Sequence, residues 1–111
     1  MTIRDLVEQL KLEVFAGEQG LDKEFQEAYC SDLLSDVMGN AKEGEVWITL
    51  QTHKNALAVA ALKDLSAILL VNAHRPNADM EEAANEEGIP VLGCDKATFE
   101  ICGLIYQLLQ K

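Results

Sequence analysis

The alternation of apolar and polar positions divides the chain into a short opening unit and a series of strand–helix repeats. Ile3, Leu6, Val7 and Leu10 recur at i, i+3, i+4 and i+7, one face of a helix. Thr2 stands where an N-cap belongs, and Asp5, three residues on, can complete a capping box. A short strand over 12–15 follows, stopped by Gly17 and Gly20. Residues 25–30 predict a second strand. Residues 32–38 predict a short helix that turns Leu33, Leu34, Val37 and Met38 toward the core, with Ser35-Asp36 on its polar side and Gly39-Asn40 as its stop.

The clearest signal comes next. EVWITL (45–50) precedes a helix near 53–63, AILLVN (67–72) one near 78–87 closed by Gly88, and IPVLGC (89–94) the C-terminal helix. In that last helix Phe99, Cys102, Ile105, Tyr106 and Leu109 fall at helical spacing. Short apolar strands alternating with helices of 10–15 residues are the pattern of β-α units around a parallel sheet, with right-handed crossovers. The expected fold class is α/β: a three-layer structure with a mostly parallel sheet of about five strands. The 53–63 helix is apolar nearly all round (Ala56, Leu57, Val59, Ala60, Ala61, Leu62), more than one helix layer facing water requires.

Composition narrows the function classes. The chain of 111 residues has the size of one domain, 1–111, and 49% apolar residues supply its core. No apolar run approaches the ~20 residues of a membrane span. The N-terminus MTIRDLVEQL is amphipathic and carries acids, unlike a signal or transit peptide, so a cytoplasmic location is expected. A net charge of −10 argues against nucleic acid and anionic membranes as partners. Cys30, Cys94 and Cys102 are odd in number and lack C-x-x-C spacing, so reduced, mostly buried thiols are expected, with neither a disulfide framework nor a metal site.

In open parallel sheets, ligands bind beyond the carboxyl ends of the strands, where helix N-termini present free N–H groups. That rule gathers candidates from distant segments: Ser31 and Asp32; Gln51, Thr52 and His53; Asn72, His74 and Arg75; Cys94 and Asp95; and Thr98. Ser31, Asp32, Thr52, His53, Asn72, His74 and Thr98 form the candidate ligand-binding set. Each also has a plainer role. Ser31 or Asp32, Thr52 and Asp95 are potential N-caps. Asn72 suits a left-handed turn, and Arg75, before Pro76, reads as a solvated surface arginine. Enzyme signatures are missing: no phosphate loop, no G-x-G-x-x-G and no G-x-S-x-G occurs. No catalytic residue and no cofactor is assigned.

The blocks GLDKEF…YCSDLLSDVMGN, EGEVWITLQTHKNALAVAAL, AILLVNAHRP and EEGIPVLGCDKATFE, between about residues 12 and 109, resemble the DRTGG domain family. That family supplies regulatory or accessory modules to some phosphotransacetylases and CBS-domain pyrophosphatases. It is similar to the N-terminal, non-catalytic domain of HPr kinase/phosphorylase. More distantly, KEGEVWITL resembles a stretch in the nucleotide-binding domain of Mur ligases. In the family pattern Asp-Arg falls at His53-Lys54 and Thr-Gly-Gly at Asn72-Ala73-His74, so the signature is altered here; Thr98-Phe99 matches a Thr-Phe pair. The Mur-like arginine is absent because Asp32 follows Ser31, and no uridine-nucleotide site carries over.

The resemblance and the strand-end set imply a non-catalytic regulatory or sensor domain. It would bind a small metabolite, phosphorylated or a nucleotide, at the strand C-terminal edge. The alternative is a homodimeric interaction or assembly module without a ligand, motivated by the apolar 56–62 segment. A homodimer with a small-molecule effector or a protein partner is the expectation for its associations.

Overall fold

The computed structural model describes residues 1–110. Ten elements run α1 (Ile3–Leu10), β1 (Glu13–Ala16), β2 (Ala28–Cys30), α2 (Leu34–Asn40), β3 (Val46–Thr49), α3 (Lys54–Leu62), β4 (Ala67–Leu70), α4 (Ala78–Glu87), β5 (Val91–Gly93) and α5 (Thr98–Leu109), with one turn of 3-10 helix at Glu18–Gly20. The expected α/β class and the five-stranded, mostly parallel sheet are observed.

Strand order is β1-β5-β4-β3-β2. The pairs β2–β3, β3–β4 and β4–β5 are parallel, and only β1 runs antiparallel, against β5. Successive crossovers therefore step one strand in a constant direction. All three of their helices pack on one side, where Trp47, Ile68 and Leu70 meet Val37 of α2, Leu57 and Ala60 of α3, and Met80 and Ala84 of α4. The helices α1 and α5 cover the other side through Ile3, Leu6, Ile101 and Ile105, packed on Val46, Ile48, Leu69 and Leu92. Alternate residues of each buried strand thus feed opposite layers, so β3 and β4 read as unbroken apolar runs.

Local chemistry sets the element ends. The Thr2 hydroxyl accepts from the Asp5 N–H, and the Asp5 carboxylate accepts from the Thr2 N–H, both at 3.0 Å, which completes the capping box. Asn77 caps α4 by accepting from Met80 N–H at 2.8 Å, and Gly88 ends it at φ 69°. Gly17 has φ 74°, and a Cβ there would run into the Ile89 carbonyl, so the β1–β2 connection passes close under α4's exit.

Three expectations are corrected. Leu33 and Met38 do not face the core: Leu33 is 64% and Met38 40% exposed, because α2 begins two residues later than the sequence suggested and only Val37 is fully buried. The apolar surround of α3 has an internal cause. The helix sits in the middle of its layer, between α2 and α4 and over the sheet, so neighbours take all sides except that of Leu62. It therefore gives no reason to invoke a partner. Nor are the thiols mostly buried: Cys30 is exposed, and Cys94 and Cys102 are half-buried.

Candidate functional site

The parallel strands deliver their carboxyl ends to one edge of the sheet, and the antiparallel β1 brings its amino end to that edge beside β5. The candidate residues do converge there, but as three separate groups.

The first group joins β2 to β3. The Asp32 carboxylate accepts from the Thr49 hydroxyl at 2.9 Å and from Leu50 N–H at 2.7 Å. Gln51 donates its amide to the Asp32 carbonyl at 2.6 Å, and Trp47 donates its indole N–H to the Ser31 carbonyl at 2.8 Å. The Ser31 hydroxyl accepts from Leu33 N–H at 3.2 Å. Neither residue caps α2, whose N-cap is Leu33. Their polar atoms instead hold two strand ends together. The Tyr29 hydroxyl adds a tether by donating to Asp36 at 2.7 Å, and this bond, with help from Ser31 and Asn40, holds the Asp36 carboxyl below its ordinary range.

The second group lies between helix N-termini. Asn77 donates to His53 Nδ1 at 2.9 Å, and its N–H donates to the Thr52 carbonyl at 2.9 Å. Thr52 is not the cap of α3; His53 takes that position without a side-chain hydrogen bond. Asp95 likewise does not cap α5, which starts from Ala97. The first N–H groups of α3 and α5 are accordingly uncapped by side chains, while Thr98 opens α5 from its first turn.

The third group forms a cleft at which three basic side chains meet. Asn72 and Ala73 both adopt left-handed backbone, at φ 56° and 60°. This fold-back lets Asn72 N–H donate to the Lys96 carbonyl at 2.8 Å and Ala73 N–H to the Cys94 carbonyl at 2.9 Å, which locks the β4 and β5 loops together. His74 Nδ1 donates to the Val71 carbonyl at 3.1 Å, leaving Nε2 directed away from that bond. Between these loops and β1 lies an open cleft of about 370 Å³, lined by Lys11, Glu13, Phe15, His74, Arg75, Asp95 and Lys96 among others.

Its floor is built by size matching. Phe15 lies so close over Gly93 that any Cβ there would collide with the ring. The Arg75 guanidinium stacks on the ring at 4.6 Å from its centroid and pairs with Glu13 at 3.0 Å. Arg75 thus forms a wall of the cleft while its side chain stays 65% exposed, the solvated surface arginine that the sequence suggested, held in place by Glu13 and Phe15. Lys11, itself left-handed at φ 55°, and Lys96 flank the opening and make no ion pair among the described residues. Three of the chain's nine Lys and Arg therefore meet at one cleft of an acidic protein. A depression of about 490 Å³ at the opposite edge has the reverse balance, lined by Glu24, Glu27, Glu43 and Glu45 with Lys42.

Of the candidate set only His74 lines the cleft, with Asn72 shaping its loop. Lys11, Glu13, Phe15 and Lys96 escaped notice. The first three reach the edge only because β1 runs antiparallel, and nothing local in the sequence announces that pairing. Burial and the neighbouring Asp95 push the Cys94 thiol up, with Lys96 N–H opposing, and the thiol is no ready nucleophile. Among the described residues, no group of His, Cys, Asp or Glu is arranged to hold a metal ion, and no helix is long and apolar enough to cross a membrane.

An open, singly wound α/β sheet with a loop-built cleft at its strand ends does not by itself fix one activity. The DRTGG domain family model matches residues 5–108, and the chain belongs to the DRTGG domain family. The fold is also that of the CBS and DRTGG domains of the regulatory region of a Clostridium perfringens pyrophosphatase, a structure solved with its activator, diadenosine tetraphosphate. The two superpose with a TM-score of 0.73 at 17% identity, over 94% of this chain and 45% of that one. This chain thus spans less than half the length of its structural relative. No curated protein matches it.

Proposed function

We propose that the chain is a non-catalytic regulatory domain that binds a small anionic metabolite, a phosphorylated compound or nucleotide, in the β4–β5–β1 cleft. The observation that carries this reading is the meeting of Lys11, His74, Arg75 and Lys96 around one concavity of a chain with net charge −10. A ligand there would bridge Lys11 and Lys96, which have charge to spare. Arg75 already shares its guanidinium with Glu13. The family supports a regulatory role, and the related pyrophosphatase region supports a nucleotide as the first probe. Ser31, Asp32, Thr52 and His53 serve the edge as scaffold, since their polar groups join strands and helix starts outside the cleft, and Thr98 at the start of α5 does not line it. A cytoplasmic location fits this role.

A catalytic reading fits poorly. A hydrolytic triad needs Ser31, an acid and a histidine in sequence of hydrogen bonds. Here Asp32 is committed to Thr49 and Leu50, and the histidines are held by Asn77 and by the Val71 carbonyl.

The test is calorimetric titration and thermal shift with inorganic pyrophosphate, ATP and diadenosine tetraphosphate. Binding should weaken about tenfold or more for each of Lys11→Glu and Lys96→Glu, the scale of one lost charge-assisted contact. No binding of any probe, or binding indifferent to both substitutions, would refute the cleft; appearance of hydrolysis products would refute the non-catalytic reading.

A further inference from the structure

The two helix layers leave different parts of the sheet uncovered. On the α1/α5 side no helix lies beyond α5 over the edge strand β2, and a groove of about 240 Å³ opens there between β2 and α5. Its walls are almost wholly apolar: Ala28 and Cys30 of β2, Ile48 of β3, and Cys102, Tyr106 and Leu109 of α5. Beside it, Phe99, Cys102, Tyr106 and Leu109 run along α5 at 3-4-3 spacing, a single stripe. Phe99 is 92% and Tyr106 67% exposed, the first having the largest fractional exposure among the bulky apolar side chains. Cys30 does not make this a redox site. Although Cys30 as a residue is exposed, the partial desolvation of its sulfur in the groove and the adjacent Cys102 push the thiol up to about 12, so it stays protonated near neutral pH.

We infer that the β2–α5 face is the interface on which a second copy of this chain docks, about a two-fold axis. This names a partner and a place independently of the cleft, since neither Phe99 nor Tyr106 lines it. Three observations favour a second copy as occupant. First, the face is self-complementary: one surface offers both a projecting aromatic stripe and an apolar groove beside it, as an isologous contact requires. Second, no charged side chain lines its groove, although Glu27, Lys42 and Glu45 share a neighbouring depression with Tyr106 and Leu109. Across its twelve residues, α5 carries only Glu100, in a chain of net charge −10 whose copies repel one another over most other approaches. Third, the area is of the right order. At ~150–250 Å² per aromatic side chain, Phe99 and Tyr106 alone leave roughly 300 Å² bare, over a third of the ~800 Å² per partner that a stable interface covers. The groove walls and the open edge of β2 extend it.

Sedimentation velocity over a concentration series, on the full chain, tests the assignment. The wild type should sediment with the mass of a dimer. Phe99→Glu/Tyr106→Glu should sediment as a monomer, self-association weakened by ~100-fold or more on the scale of aromatic hot spots, with its far-UV circular dichroism and melting cooperativity unchanged. Leu62→Glu, equally exposed on the other layer, should leave the dimer intact. A wild type that is monomeric throughout overturns the inference, whether or not it captures a different protein. So does a dimer that survives the double substitution or dissolves with Leu62→Glu. Ligand binding by the monomeric variant separates this result from the cleft: its loss in wild type and variant alike tells against the cleft only.

Discussion

The two faces of the sheet are built from similar residues and end in opposite states. On the α2/α3/α4 face the central helix is apolar nearly all round, and every neighbour it needs lies within the chain. On the α1/α5 face the last helix is the most apolar element, yet it has no neighbour on its outer flank, and Phe99 and Tyr106 stand in solvent. Apolar composition alone would rank the two helices together. What separates them is position within a layer: a helix in the middle of three is enclosed, and a helix at the end of two is not. Total hydrophobicity is therefore a poor guide to which helix leaves apolar side chains in solvent, and position within the layer decides it.

The strongest way to break this contrast is to truncate one residue on each face. Leu57→Ala, in the closed layer, should destabilise the fold by about 3 kcal/mol in denaturant unfolding, because a fully buried leucine leaves a cavity. Phe99→Ala should change monomer stability by no more than ~0.5 kcal/mol. Equal losses at both positions would abolish the distinction. A smaller effect probes the strand ends. Asp32→Ala deprives the Leu50 N–H and the buried Thr49 hydroxyl of their acceptor and should cost about 1–2 kcal/mol.

Smaller still is Ala73→Gly at the cleft. Relief of a left-handed alanine, ~1 kcal/mol or more, outweighs by a little the added freedom of the unfolded chain, ~0.4–1 kcal/mol. A gain of about 0.5 kcal/mol is the expected outcome, and a clear loss would mean that the φ of 60° is not strained. The resemblance of Asn72-Ala73-His74 to Thr-Gly-Gly fits this geometry, since the family's glycine would occupy the strained position.

The least effect concerns pH. The Tyr29 hydroxyl holds the Asp36 carboxyl below the ordinary carboxylate range, so the folded state binds this proton less readily than the unfolded chain. Stability from the contact is then fully present above the unfolded pKa of about 3.9. It is lost as pH falls through the lower folded value. Asp36→Asn should flatten the decline in stability below about pH 4 and leave the Leu57 to Phe99 contrast untouched. Acid titrations of wild type and variant that run parallel would remove Asp36 as a contributor.

Much of the architecture was readable along the chain because its signals are local. The capping box of Thr2 and Asp5, the unbroken apolar strands β3 and β4 and the glycine stop at Gly88 depend on residues near one another in sequence. The α2 register was misplaced because Ser31 and Asp32, both good caps, are drawn into the β2–β3 junction by Thr49, Leu50 and Trp47, partners at least sixteen positions away. The same kind of long-range pairing hid most of the cleft. His74 and Arg75 were in view beside β4, but Lys11, Glu13 and Phe15 join them only across the antiparallel β1–β5 ladder.

Periodicity, punctuation and order of elements along the chain were thus enough to determine the α/β class, since it is written in spacing over a few residues, and the motif blocks pointed to the family. Tertiary structure alone decided which segments meet at the strand-end edge and which apolar helix is left uncovered. Both depend on the direction in which β1 pairs and on the side to which each helix crosses, and those are properties of the assembled sheet.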